Sequence, residues 1–246
     1  MKIFSKTDIG LLRDENQDCV WSASLSDGAC AAVLCDGMGG EAHGGLASRI
    51  AVDVISKRIL GTFSEMMNRN SVRNLLITAV SAANSSVVDA ARKQPEGAVM
   101  GTTCVAAIVS GGRAYIVNVG DSRGYHLFTS EDSECIQQVT KDHSHVRDLI
   151  DRGEITEEQA KLHPDRNKIT RAIGAEEMVT PDYFELDLAD GDMILLCSDG
   201  LSSYGDDMDI LDICFEYPTE EICDKLVDYA NGNGGHDNIS VALIAV

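Results

Sequence analysis

The sequence predicts an α+β fold in which antiparallel sheets are covered by helices. Three observations carry that expectation. Short apolar runs bounded by turn signals recur early, midway and late in the 246-residue chain. Several runs are apolar at successive positions, so both faces of their sheets should be covered. Helical patterns come in pairs between the runs, not one per strand, which argues against a doubly wound parallel sheet. No low-complexity linker divides the chain, so a single domain over 1–246 is expected.

The strands expected from these runs are 29–35, 103–110, 114–119, 193–197 and 239–246. Ser110-Gly111-Gly112 between two of them reads as a hairpin turn. Leu46, Ile50 and Val54 repeat at i, i+4, i+8 and predict a first long helix. Val72, Leu75, Leu76, Ala79, Val80, Ala83 and Val87 form the stripe of a second, ended by Pro95 and Gly97. The segment Tyr125–Val139 reads as strand, turn and strand. Residues 141–175 are polar and helical: Val146, Leu149 and Ile150 precede a stop at Gly153, and Thr156-Glu157-Glu158-Gln159 is a capping box whose helix ends near His163-Pro164. This insertion is a candidate flap. A last helix is expected from Pro218-Thr219 to Asn231-Gly232.

Composition excludes several roles. Asp and Glu outnumber Lys and Arg by 40 to 20, a formal charge of −20. Such a surface repels nucleic acid and anionic membrane. It also repels phosphorylated substrates unless bound divalent cations reverse the sign locally. No apolar stretch is long enough to span a bilayer. Residues 1–20 are charged throughout and lack the apolar region of a secretion signal. The eight cysteines form no C-x-x-C pair, and Cys30, Cys35, Cys104 and Cys197 lie in apolar runs as small hydrophobes. A reducing, cytoplasmic setting is expected.

The segment Leu34–Gly45, LCDGMGGEAHGG, places an aspartate and then a glycine-rich loop after an apolar run. It lacks the lysine of a P-loop and the third glycine of a dinucleotide fingerprint. One Asp-Gly alone is most simply a turn. The pattern recurs, however. Asp199 follows strand 193–197, Asp121 follows strand 114–119, Asp237 precedes the last strand and Asp18 precedes an early segment. Aspartates gathered from several strand ends suit hard divalent cations, which take oxygen ligands and few protein carboxylates.

Competing motifs are weaker. Gly120-Asp121-Ser122-Arg123-Gly124 fits a serine-hydrolase elbow, with Asp199 and His236 in the usual order, but the segment after Ser122 reads as strand where the elbow needs a helix. There is no C-x₅-R cysteine-phosphatase motif. Asp190-Gly191-Asp192 precedes its strand and reads as a turn. His143-x-His145 is a lone histidine pair without further zinc ligands.

The motifs together resemble the metal-dependent protein serine/threonine phosphatases of type 2C (the PPM family) in their compact bacterial form. They are Arg13-x-x-Asn16-x-Asp18, Asp36-Gly37-Met38-Gly39-Gly40, Met100-Gly101-Thr102-Thr103, Val119-Gly120-Asp121-Ser122-Arg123, Thr140-x-Asp142-His143-Ser144, Ile169-Thr170-Arg171-Ala172-Ile173-Gly174, Ser198-Asp199-Gly200 and Gly235-x-Asp237-Asn238. The resemblance implies a four-layer α-β-β-α sandwich with a mobile flap near 141–180. It implies two to three Mn²⁺ or Mg²⁺ ions. Asp36 would bridge two of them, with the Gly37 carbonyl, Asp199 and Asp237 as further ligands. Asp121 with Asp199 would hold a third, weaker ion, and Asp18 would act through metal-bound water. Arg13 would grip the substrate phosphate as a bidentate fork. The implied activity is hydrolysis of phosphoserine and phosphothreonine in proteins by a metal-bridging water or hydroxide, without a phosphoenzyme. A monomer opposing a Ser/Thr kinase is the expected setting. The chain departs from the family pattern at Gln17, where an acidic residue is usual, at Glu41 with His43 two positions on, and at Gly45. Met38 stands where eukaryotic members place a histidine, which leaves the general acid unassigned. Two alternatives are a phosphoprotein-binding module without catalysis and a serine esterase using Ser122.

Overall fold

The computed structural model describes residues 1–39, 43–94, 99–131 and 133–246. The expected end of the second helix at Pro95 and Gly97, and the loop residues Gly40 and Glu41, lie outside the described residues. Among the described residues, eleven strands form two antiparallel sheets. The first sheet runs β1 (Lys2–Asp8), β11 (Ile239–Ala245), β10 (Met193–Cys197), β7 (Arg123–Ser130) and β8 (Ser133–Gln138). The second runs β2 (Asp18–Ser26), β3 (Ala29–Met38), β5 (Cys104–Ser110), β6 (Arg113–Val119) and β9 (Asp182–Asp187), with the short β4 (Gly101–Thr102) against the end of β3.

Side-chain alternation explains the layering. In β3, Ala31, Val33 and Cys35 face one core while Cys30, Ala32 and Leu34 face another. In β10, Leu195 and Cys197 point one way and Ile194 and Leu196 the other. The shared core lies between the sheets, so these strands are apolar on both faces. The outer core of the second sheet is closed by α1 (Gly44–Thr62) and α2 (Arg69–Ala91) through Ala51, Ile55, Leu76 and Val80. That of the first sheet is closed by α6 (Asp207–Glu216) and α7 (Ile222–Gly232) through Ile210, Leu226 and Val227. The result is the four-layer α-β-β-α sandwich. Each fully buried Leu or Ile contributes about 1.5–3 kcal/mol through area removed from water.

Local signals set the element ends. Asn68 caps α2 by accepting from Ser71 N–H. The Gly111-Gly112 turn has φ of +59° and +69°, the left-handed pair that matches strand twist. The capping box at Thr156 and Gln159 is formed and opens α4 (Glu157–Lys161). Its neighbour α3 (His145–Asp151) starts at the Ser144 cap and stops before Gly153, at φ +71°. The C-terminal helix differs from expectation: the Pro218 carbonyl accepts from Glu221 N–H in a turn, and α7 begins only at Ile222.

The segment 141–180 is stitched to the sandwich at its far end. Buried Asn84 of α2 donates to the carbonyls of Glu176 and Glu177 and accepts from Gly174 N–H. No helix among the described residues is long and apolar enough to cross a membrane.

Candidate active site

The topology brings the five aspartates to one end of the sandwich. Asp18 opens β2 and stands opposite Asp36, near the end of β3. Asp121 follows β6 by two residues, Asp237 precedes β11 by two, and Asp199 begins the short helix α5 (Asp199–Ser202) after β10. β10 pairs with β11, and Ser198 N–H extends the ladder to the Ser240 carbonyl, which carries Asp199 and Asp237 to the same edge. The chains here approach closely: a Cβ on Gly200 would lie 2.1 Å from the Asn238 carbonyl oxygen, and one on Gly37 would lie 2.2 Å from that of Gly44. Only glycine permits either contact.

Two polar clamps hold the ends in place. The Asp36 N–H donates to Thr103 Oγ1 at 2.9 Å. The Asp36 carbonyl accepts from Thr103 N–H and from Thr102 Oγ1, both at 2.8 Å. Asn238 is the second clamp. Its Nδ2 donates to the Ile9 and Glu15 carbonyls, and its Oδ1 accepts from Gln17 N–H. The loop that carries Arg13 is thereby fastened to the loop that carries Asp237. Sequence reading missed both clamps because a threonine or asparagine in a motif does not announce its partner.

A cavity of about 820 Å³ opens over this end, lined by Arg13, Asp36, Gly37, Asp121, Asp199 and Asp237, with Leu12, Met38 and Ile169 as apolar wall. Asp18 does not reach the cavity wall. It lies beneath, buried, with neither carboxylate oxygen hydrogen-bonded. Ser198 and Ser240 face it and temper its shift, yet their hydroxyls turn to the Asn238 carbonyl and to Thr7. Asp199 Oδ1 is likewise buried without a partner.

Carboxylates in this position resist ionisation. Burial, followed by the charges of Asp18, Asp199, Asp121 and Asp237, holds Asp36 well above the usual range. Burial first and then Asp199 and Asp142 push Asp121 up to about 8. Burial and Asp237 raise Asp199 to about 6, and burial raises Asp18 to about 7. Burying unpaired like charges costs several kcal/mol unless a counter-charge is supplied. A divalent cation is such a counter-charge, and the orphaned oxygens of Asp18 and Asp199 fit one. Among the described residues no three His, Cys, Asp or Glu side chains form a ready three-ligand cluster. Mg²⁺-type ions need only one or two carboxylates and complete their shell with water.

Arg13 Nη2 donates to Asp237 Oδ2 at 2.6 Å. Burial alone would lower the guanidinium's pKa, but Asp237, Asp199 and Asp36 outweigh it and hold it up. Arg13 is the one cationic side chain among the described residues lining the cavity.

The remaining sequence candidates fall elsewhere. Ser122 is fully buried, its hydroxyl bonded to Thr103 Oγ1 at 2.7 Å, and the strand β7 follows it where an elbow needs a helix. His236 packs against Tyr204 with the rings tilted by 32°. The esterase reading has no geometry to stand on. Asp190-Gly191-Asp192 is a turn, with Gly191 at φ +93° and Asp192 accepting from Ala189 N–H. His145 meets His163 edge-on, while His143 is buried against the β6–β7 turn. His43 stands at the start of α1, outside the cavity lining. At Gly44 a Cβ would lie 2.5 Å from Gln17 Oε1, so the α1 start leaves room for that side chain.

Comparison with known proteins gives the family and the fold. Residues 13–240 match the family model described as protein phosphatase 2C. The chain is 35% identical over 240 residues to the serine/threonine phosphatase stp of Listeria monocytogenes, covering 97% of this chain and 93% of that one. The S. agalactiae serine/threonine phosphatase structure superposes with a TM-score of 0.89 at 31% identity, covering 100% and 99%. The catalytic domain of serine/threonine protein phosphatase PstP, solved in complex with two manganese ions, superposes with a TM-score of 0.80 at 32% identity, covering 98% and 96%.

Proposed function

Since the chain belongs to the protein phosphatase 2C family, we propose that it hydrolyses phosphoserine and phosphothreonine in proteins with the help of divalent cations. The observation that carries this reading is the set of crowded, mutually repelling carboxylates, Asp18 buried and the others half-buried, at a cavity whose lining includes Arg13. Asp36, Asp199 and Asp237, with the Gly37 carbonyl, would hold two Mn²⁺ or Mg²⁺ ions, and Asp121 with Asp199 a third. Asp18 would act through water from below. When bound, such ions neutralise phosphate charge and lower the pKa of water so that it attacks at neutral pH.

The chain's own residues do the rest. Arg13 would leave Asp237 and present its planar fork to two phosphate oxygens, orienting the ester for in-line attack. Thr102 and Thr103 fix the Asp36 backbone, so its carboxylate would need no reorganisation during the reaction. Leu12, Met38 and Ile169 would exclude water beside the phosphorylated residue.

The proposal extends to setting. It takes 1–246 as one catalytic domain with 141–180 as a flap, acting as a cytoplasmic monomer on substrates made by a Ser/Thr kinase. The test is phosphate release from a phosphothreonine peptide and from p-nitrophenyl phosphate, with EDTA and with added Mn²⁺. Mn²⁺-dependent release of both supports the reading. Binding of the peptide without release would instead favour a phosphoprotein-binding module.

A further inference from the structure

We infer that His143 is the positioning residue for Asp121, and that it ties this position to segment 141–180 through Asp182 and Arg171. The inference rests on the reading of Asp121 as a cation ligand. Asp121 stands in the turn between β6 and β7, and the residue before it, Gly120, adopts φ +105°. That turn has little room to shift, since a Cβ on Gly120 would lie 2.6 Å from Thr103 Cγ2.

His143 grips Gly120 on both sides. The Gly120 N–H donates to His143 Nδ1 at 3.0 Å, and the His143 N–H donates back to the Gly120 carbonyl at 2.9 Å. Asn118 Nδ2 adds a second bond to the same carbonyl. One residue thus holds both polar groups of the glycine that aims the next side chain. His143 is 7% exposed, so water does not compete for these bonds.

The bonds also fix the ring's tautomer. Nδ1 accepts and is therefore bare, so the neutral ring carries its proton on Nε2. Arg171 Nη1 lies 2.9 Å from Nε2, but its hydrogens serve Asp182 Oδ1 and the Thr180 carbonyl. The Nε2–H is left to donate to Asp182 Oδ2, at 3.2 Å. Asp182 begins β9 and Arg171 lies in segment 141–180, so one chain of contacts joins the ring, that segment and the Asp121 turn.

Two variants separate the ring's two contacts. His143→Asn keeps an acceptor near the Nδ1 position and loses the reach to Asp182. His143→Gln keeps the reach and loses the Nδ1 acceptor. Mn²⁺ binding to the full chain is measured by calorimetry, and the Mn²⁺ dependence of p-nitrophenyl phosphate hydrolysis alongside it. The Gln variant should weaken the lowest-affinity Mn²⁺ site and raise the half-saturating Mn²⁺ concentration about tenfold, in line with partners that orient metal ligands. The Asn variant, which gives up only the Asp182 contact, should show a smaller rise than Gln, and an Asn variant identical to the parent chain overturns the tie through Asp182. A normal Gln variant overturns the inference, whether or not Asn is impaired. If both variants fail to fold, ¹⁵N NMR of the parent chain decides: an Nε2–H ring supports the clamp and an Nδ1–H ring overturns it. Asp36→Asn serves as the control. If that variant keeps full Mn²⁺-dependent activity, the proposed metal site fails on its own account.

Discussion

At the scale of single residues, Asp36 carries two opposite duties. Its pKa is raised by burial and then by the charges of Asp18, Asp199, Asp121 and Asp237. Without a cation its charge should destabilise the fold; on the proposed reading, with one it would anchor the chemistry. Asp36→Asn should therefore raise the melting temperature measured in EDTA while cutting turnover by on the order of 10²–10³-fold. An equal loss of stability and activity would mean that the residue only supports the fold. Arg13 makes a different prediction. Charge-assisted bonds contribute about 1.5–3 kcal/mol, and lysine cannot reproduce a planar fork. Arg13→Lys should raise KM for a phosphopeptide by about tenfold or more with a smaller change in kcat. The acidic candidates stood out because aspartates beside glycine or amide residues recur at strand ends, whereas Arg13 came only from the family resemblance. The clamps were not, since hydrogen bonds such as Asn238 to Ile9 and Glu15 join residues more than 200 positions apart.

At the scale of elements, strands with two covered faces were the most readable. β3, β10 and β11 are continuous apolar runs because one face meets the other sheet and one meets helices. β1 and β9 each lie at one edge of their sheet, with half-exposed mixed sequences, Lys2–Asp8 and Asp182–Asp187, that carry no clear period. α6 also escaped notice: its acidic first turn masks a short apolar stripe, and its start depends on the Asp206 cap. Among the connections, the β3–β5 link at Thr103 bears most directly on the site. Thr103→Val removes the acceptor for Asp36 N–H and the partner of Ser122. The unsatisfied groups should cost about 1–3 kcal/mol in urea unfolding. An unchanged midpoint would show that the clamp is dispensable.

At the scale of the whole molecule, the acidic excess and the carboxylate cluster should couple stability to pH and to metal. The folded chain without cation keeps protons on Asp199, Asp18 and Asp121 up to about 6, about 7 and about 8. The unfolded chain releases them near pH 4. The folded state thus binds more protons across this range, so stability falls as pH rises from about 4 to about 8. Saturating Mn²⁺ should abolish most of that decline, because bound cation replaces the protons. A flat pH profile in EDTA would contradict the electrostatic picture. The central claim is narrower: the carboxylate end of the sandwich must hold divalent cation before phosphate can be cleaved. It is tested most directly by stripping the chain with EDTA, removing the chelator, and following phosphate release from a phosphothreonine peptide as Mn²⁺ is added back. The account predicts no release before addition and a saturable return of activity after it. Undiminished turnover by the stripped chain would contradict it.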